Sequence, residues 1–459
     1  MKREMTLQTL KTQIRSGAID TVIVALPDPF GRLVGKRFRA DVFLDSVVKH
    51  GTHGCNYLLT VNMEMDPLDG FKVASWDTGF GDFALVPDLD TIRPLPWQPG
   101  AALVLCDHVR HDGSLVAEAP RSVLRRQLDA VAARGYTCFC ASELEFYLFN
   151  QTYHSAFTSG YRDLQPSSDY RIDYHLMQPT RDEPLMRAIR NGMTAARVPV
   201  ESSKGEWSRG QHEINFTYTE PLPMADMHLL FKQGVKEIAE QHGKAVSFMA
   251  KYAPNEAGNS CHIHMSLWKG RKNLFWRPDA GTKAHGPAGA SPLFRQFLGG
   301  LIKYSPELCL FLAPTINSYK RYQAGSWAPT RMAWALDNRT VGFRVVGEDN
   351  AFRIENRMPG ADANPYLAFA AMLAAGLAGI KEKLDCGAPY TGNAYVDPKL
   401  ARLPGSLAEA ASLLEQSRLA RAAFGEGVVE FYVHHARLEV EAFNNAVTDW
   451  EKIRYFERI

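Results

Sequence analysis

Two periodicities organise this chain. A period of two, the mark of a strand with one buried face, governs several short stretches, and helical spacing governs the longer ones. Thr21–Leu26 is a β-branched run that ends at the turn Pro27-Asp28-Pro29-Phe30-Gly31, and Leu33–Phe38 reads as the returning strand. Phe83–Val86 and Ala102–Cys106 are further strands, among the prolines Pro87, Pro94, Pro96 and Pro99. Together with a first helix over residues 4–16, stopped by Gly17, they predict a small β-rich domain spanning residues 1–110. From Pro120 the pattern changes, and residues 111–459 are expected to form a second, larger domain. Helical spacing over Arg121–Arg134 closes at Gly135 and leads into a strand, Tyr136–Phe149. Asp226–His242 has Leu229, Leu230, Val235 and Ile238 on one face, with Asp226 as its expected cap and Gly243 as its stop. A further helix opens at Asn364-Pro365 and runs to Lys383, and residues 406–422 and 428–447 follow. Gly281–Ser291 is the most loop-like piece.

Composition narrows the class. The 459 residues are 46% hydrophobic and 22% charged, enough for two or three globular domains with a sizeable core. A net charge of +2 with scattered Lys and Arg gives no electrostatic footprint for nucleic acid or an anionic membrane. Seven cysteines without a CxxC pair predict free thiols in a reducing compartment. Residues 1–17 lack the apolar core of a signal peptide, and the longest apolar stretch, Tyr366–Ile380, is too short to span a bilayer. The expectation is a soluble cytoplasmic protein.

The candidate chemistry lies on the strands. In Ala-Ser-Glu143-Leu-Glu145-Phe, alternation puts both acids on one face and Leu144, Phe146 and Leu148 toward the core. Taken alone, that pair reads as a solvated outer face. Glu206 and Glu213 point oppositely on a plain strand, but Gly210 between them offers a turn that brings both to one side. His262-x-His264 places two imidazoles on one face, which suits a metal or two half-buried structural histidines equally. Arg353, Glu355 and Arg357 share a face of another strand. Converging, these acids require divalent cations, and an oxygen-rich set with one imidazole suits Mg2+ or Mn2+.

In order and over nearly the whole chain, these segments resemble the glutamine synthetase family. Beside the strands already named, Gly210-Gln211-x-Glu213, His264-x-Ser266, Asn317-Ser-Tyr-Lys-Arg321, Asp337-Asn-Arg339-Thr and Ala363-Asn-Pro-Tyr366 match its motifs. The resemblance implies an α+β fold: a β-grasp N-terminal domain and a catalytic domain of antiparallel strands forming a funnel flanked by helices. It implies homo-oligomers of stacked rings, commonly dodecamers, with sites shared between neighbours. Residue by residue, Glu145, Glu206 and Glu213 match the ligands of a first metal, and Glu143, His262 and Glu355 those of a second. Arg344 and Arg353 match phosphate-binding arginines, and Arg339 the one that stabilises the transferring phosphoryl group. His264, Ser266, Glu201 and Tyr218 match nucleotide contacts; Gly258, Arg321 and Arg357 match the glutamate site. ATP is then a co-substrate that activates the γ-carboxyl of glutamate as an acyl phosphate, from whose carbonyl an amine displaces phosphate.

One motif departs from the family. Glutamine synthetases close the site with Arg-x-x-x-Gly-x-Glu-Ala-Pro, whose glutamate binds and deprotonates ammonium; here the segment is Arg321-Tyr-Gln-Ala-Gly325-Ser-Trp327-Ala-Pro329. Asp66 and Asp69 are only positional candidates for the N-terminal acid of that pocket. An indole in place of a carboxylate predicts an organic amine as substrate, forming a γ-glutamylamide, with ammonium as the alternative. A non-catalytic scaffold would have lost metal ligands, yet all six matched positions are filled. Tyr395 stands near the tyrosine that some family members adenylylate, and no regulation is read from it.

Overall fold

The computed structural model describes residues 5–277 and 289–459, so most of the expected loop at 281–291 lies outside the described residues. The chain folds as α+β, with two sheets and with helices packed around the second. The first sheet holds β1 (Thr21–Pro27), β2 (Leu33–Arg39), β3 (Thr52–Cys55), β4 (Asp82–Pro94) and β5 (Ala101–Val109), in the order β2-β1-β5-β4-β3. Only β1 and β5 run parallel within it. Helix Leu7–Arg15, capped by Thr6, adds Leu10 to the sheet's own small core of Val22, Val24, Phe43 and Val104.

The second sheet carries the candidate chemistry. Its strands are β6 (Thr137–Phe149), β7 (Val200–Gly205), β8 (Gln211–Phe216), β9 (Ala245–Ser247), β10 (Cys261–Lys269), β11 (Lys272–Asn273), β12 (Trp334–Leu336), β13 (Phe343–Val346) and β14 (Arg353–Asn356). The main path is β12-β13-β14-β10-β6-β8-β7, antiparallel except between β12 and β13. One face packs on helices Pro120–Ala132 and Pro221–Gln241, and helix Pro365–Glu382 packs against both of them; each is opened by proline, which lacks the N–H that a first helical turn leaves unbonded. Helix Pro365–Glu382 is buried along nearly its whole length, and among the described residues no helix is long and apolar enough to cross a membrane.

Two helix boundaries differ from expectation. Asp226 does not cap a helix: the helix begins a turn earlier, at Pro221, and Asp226 lies buried inside it. A buried carboxylate needs a partner, and Arg121 supplies it through two contacts of 3.2 and 3.0 Å. Arg121 also reaches Asp107 at 2.6 Å on β5 and Asp88 at 2.9 Å on β4, so one buried guanidinium ties the first sheet to the helices of the second. Residues 406–422 form two helices, Leu407–Gln416 and Arg418–Phe424, because Ser417 is extended and its hydroxyl caps the second. All seven cysteines are free thiols, as expected.

Candidate active site

Strand register assembles the site. Glu143 on β6 lies opposite His262 on β10, and Glu145 lies opposite Glu213 on β8. Across the other edge of β10, His264 faces Glu355 on β14, which in turn faces Arg344 on β13. Alternation had put each acid on one face of its own strand; pairing stacks those faces side by side. The result is a cleft of about 680 Å³ at the mouth of the sheet. The solvated-face reading of Glu143 and Glu145 therefore does not hold, since Glu145 is only 6% exposed.

Ligand atoms of Glu143, His262 and Glu355 lie within 4.8 Å of one another, and so do those of Glu145, Glu213 and His262. Both imidazoles turn to Glu143, His262 Nδ1 at 3.1 Å and His264 Nε2 at 2.8 Å. Arg353 Nε donates to His264 Nδ1 at 3.1 Å, which leaves His264 to donate from Nε2. Glu145 accepts from the Ser260 amide at 2.7 Å and from Gln211 Nε2 at 3.1 Å. Glu355 is held by Arg344 at 2.8 Å and by Arg357.

These surroundings split the carboxyls. Burial, followed by repulsion from Glu206, pushes Glu145 and Glu213 well above the usual carboxylate range. Burial also opposes ionisation of Glu143 and Glu355, but the two imidazoles outweigh it for Glu143, and the imidazoles with Arg357 and Arg344 for Glu355, which holds both below that range, Glu355 at about 2. Burial and Arg357 depress His262, whose buried Nε2 has no hydrogen-bond partner. An oxygen-rich set, carboxyls raised by their own crowding and one orphaned imidazole nitrogen fit hard divalent cations.

Glu206 sits differently. The Gly210 turn, at φ +66°, brings it to the cleft with Glu213, but its carboxylate is ion-paired to Lys204, whose Nζ is also 3.9 Å from Glu213. Arg339 and Arg344 line the cleft as well. His264, Ser266, Arg353, Tyr218 and Glu201 are not among its lining residues. Ser266 is buried and accepts from Trp268 at 2.8 Å, whereas Tyr218 and Glu201 are exposed.

Arg321 departs from the expected role. It is 1% exposed and spends its Nη donors on Met358 O, Ser260 Oγ and Arg357 O at 2.8 to 3.0 Å, behind the cleft wall. Gly258 is the wall: a Cβ there would stand 2.5 Å from Arg321 Cγ and 2.6 Å from the Ala250 carbonyl. Arg321 thus shapes the backbone of the cleft wall without reaching into the cleft, while Arg357 does line it. Asp66 is also outside the cleft. It belongs to a loop bonded to Asn62, and Phe71 pins that loop to helix Glu426–Asn445 through Phe431 and His435.

Trp327 lines the cleft at φ +65°, a left-handed backbone that a bulky residue seldom adopts. Its ring meets Trp207 edge-on at 5.4 Å, and Arg357 donates to its carbonyl at 3.3 Å. Trp207, Lys204 and Asp173 were not expected here. The signal for Trp207 was present, an indole directly after a candidate ligand, but only the turn at Gly210 makes that neighbour a cleft wall. Tyr395 buries its hydroxyl against the Trp327 backbone and Arg357, which argues against an accessible modification site.

The fold and the site together define an α+β protein whose second sheet gathers acids, imidazoles and arginines in one cleft, the form of an enzyme active site. Residues 117–455 match the glutamine synthetase catalytic domain, and the chain belongs to that family. It is 49% identical over 453 residues to γ-glutamylethanolamide synthetase GlnA4 of Streptomyces coelicolor, covering 99% of this chain and 96% of that protein. It is 37% identical over 464 residues to glutamate–isopropylamine ligase of a Pseudomonas species, with both chains fully covered. The solved structure of apo GmaS without ligand aligns with a TM-score of 0.83 at 27% identity, covering 97% of this chain and 99% of that one.

Proposed function

We propose that this enzyme joins the γ-carboxyl of glutamate to a short organic amine at the expense of ATP, through γ-glutamyl phosphate. The observation that carries the reading is Trp327 facing Trp207 across 5.4 Å at the cleft, where the family's ammonium-binding loop has a carboxylate. Two indoles favour an alkyl group, at ~0.8 kcal/mol per buried methylene, and do little for bare ammonium. The names of the two relatives, an ethanolamide synthetase and an isopropylamine ligase, agree with it.

Glu143, His262 and Glu355 are suited to hold one divalent cation, Mg2+ or Mn2+, and Glu145, Glu213 and Glu206 a second. Such cations supply charge neutralisation for phosphate oxygens. Arg339 and Arg344 offset charge on the phosphoryl group as it transfers, and Arg357 with the Gly258 backbone orients glutamate. Trp327 and Trp207 exclude water that would hydrolyse the acyl phosphate. We infer further that subunits assemble in stacked rings. Trp450, Ile453 and Phe456 support this, exposing 60%, 79% and 90% of their surface on helix Asp449–Tyr455 and just beyond.

The test is phosphate release with glutamate and ATP over ammonium, methylamine, isopropylamine, ethanolamine, putrescine and aniline. An organic amine is expected to give the highest kcat/KM. Ammonium as the best substrate would overturn the reading in favour of a true glutamine synthetase, and no ATP turnover would favour a scaffold.

A further inference from the structure

One wall of the cleft is held by a side chain that does not line it. Arg171 is exposed and lies outside the cleft, but its guanidinium covers the Trp207 ring, 3.9 Å from the ring centre. Trp207 in turn meets Trp327 at 5.4 Å, so the three side chains form one row with Arg171 at its outer end. The backbone puts Arg171 there. On one side of it Ser168 Oγ accepts from the Gly210 amide at 2.6 Å, and on the other the Tyr174 amide donates to the Gly205 carbonyl at 3.3 Å. Residues 168 and 174 are thereby tied to residues 210 and 205, which bracket Trp207. Between them Ile172 is fully buried, its carbonyl so close to Gly205 that a Cβ there would stand 2.4 Å from it.

Little else orients the indole. Among the described residues Trp207 packs on none of the buried hydrophobic clusters, and its ring nitrogen makes no hydrogen bond. A half-buried indole without such restraints is free to change rotamer, and a guanidinium stacked on one face removes that freedom. Tryptophan is the ring that attracts a cation best. We propose that Arg171 is a positioning residue: stacked on Trp207, it holds that ring against Trp327 and keeps the aromatic wall closed around the amine and the acyl phosphate. It touches no substrate itself. The proposal rests on the organic-amine reading above. When the wall opens, water takes the place of the amine at the acyl carbonyl. The bond to the phosphate oxygen then breaks without an amide forming, and glutamate and phosphate are the products.

The experiment measures phosphate released and γ-glutamylamide formed, with ATP, glutamate and the faster of ethanolamine and isopropylamine. It uses the wild type, Arg171→Ala, Arg171→Lys, Trp207→Leu and the double variant Arg171→Ala with Trp207→Leu. Arg171→Ala is expected to raise KM for the amine by about threefold to tenfold, the worth of one cation–π contact, with KM for ATP and glutamate unchanged. It should also raise the phosphate released per amide formed. Arg171→Lys keeps a cation and should fall between the wild type and Arg171→Ala. Trp207→Leu should show at least the same losses, and Arg171→Ala should add nothing to them, because its effect passes through the ring. Unchanged amine KM and phosphate-to-amide ratio in Arg171→Ala, a full further loss in the Trp207→Leu background, or an equal rise in KM for ATP and glutamate would each overturn the role of Arg171 while leaving the organic-amine reading intact. Ammonium outcompeting both organic amines in the wild type would overturn both.

Discussion

Removing and restoring the divalent cation should move protons in a countable way. Glu145 and Glu213 face each other across β6 and β8, each 6% exposed, with ligand atoms within 4.8 Å. At that separation two carboxylates repel by about 3 kcal/mol at an effective dielectric near 20, which is more than two pKa units before burial is added. Both are raised in the metal-free protein, so at pH 7 the pair holds protons that a solvated carboxylate would have shed. Cation binding requires ionised ligands and should expel about one to two protons at pH 7. Calorimetric titration with Mn2+ in two buffers of different ionisation enthalpy reads that number directly. Glu213→Gln should lower it by about one. The sign for stability follows: the folded metal-free protein binds more protons than the unfolded chain. Its stability should then fall as pH rises from about 4.5 toward the raised values, a decline absent in the metal-loaded form. Uptake of Mn2+ with no proton release at pH 7 would refute the reasoning.

Trp327→Glu, which restores the acid of the family motif, should shift the kcat/KM ratio toward ammonium by at least about tenfold, one buried methylene-scale contact plus a new charge; an unchanged ratio in the phosphate-release assay would detach Trp327 from amine choice. Arg121→Ala leaves the buried Asp226 without its ion pair, keeping the Tyr366 hydroxyl as a hydrogen-bond donor, and should cost about 3–5 kcal/mol in denaturant unfolding. A cost below about 1 kcal/mol would show that water replaces the guanidinium. His108 and His435 are depressed to about 4, by burial first, so the unfolded chain binds the extra protons. Stability is intact above the ordinary pKa of 6.5 and should be lost as pH falls toward 4, by up to about 3 kcal/mol per histidine. Melting temperatures at pH 7 and pH 5 for the wild type and His435→Asn check this, and the variant should show the shallower fall.

The strands that carry the site were legible because alternation is a local property. Glu143 with Glu145, and His262 with His264, share a face whatever the rest of the chain does, and the hydrophobic residues between them say which face is buried. Helix ends were less legible. Asp226 has the composition of a cap, but a distant arginine, Arg121, makes its burial tolerable, and the helix begins elsewhere. The same long-range logic removed Arg321 from the cleft: its motif position is readable, but the carbonyls that draw its Nη donors come from residues 357 and 358.

By itself, then, the sequence determined the family, the α+β class, the six candidate ligands and the loss of an acid at Trp327. Register decided the rest. Which ligands become neighbours depends on β6 pairing with β8 and β10, and β10 with β14. Glu143 and His262, for one, stand 119 residues apart on the chain and meet only through that pairing. Tertiary structure alone put Trp207 against Trp327, because side chains from separate loops meet only where the sheet's edges bring those loops together.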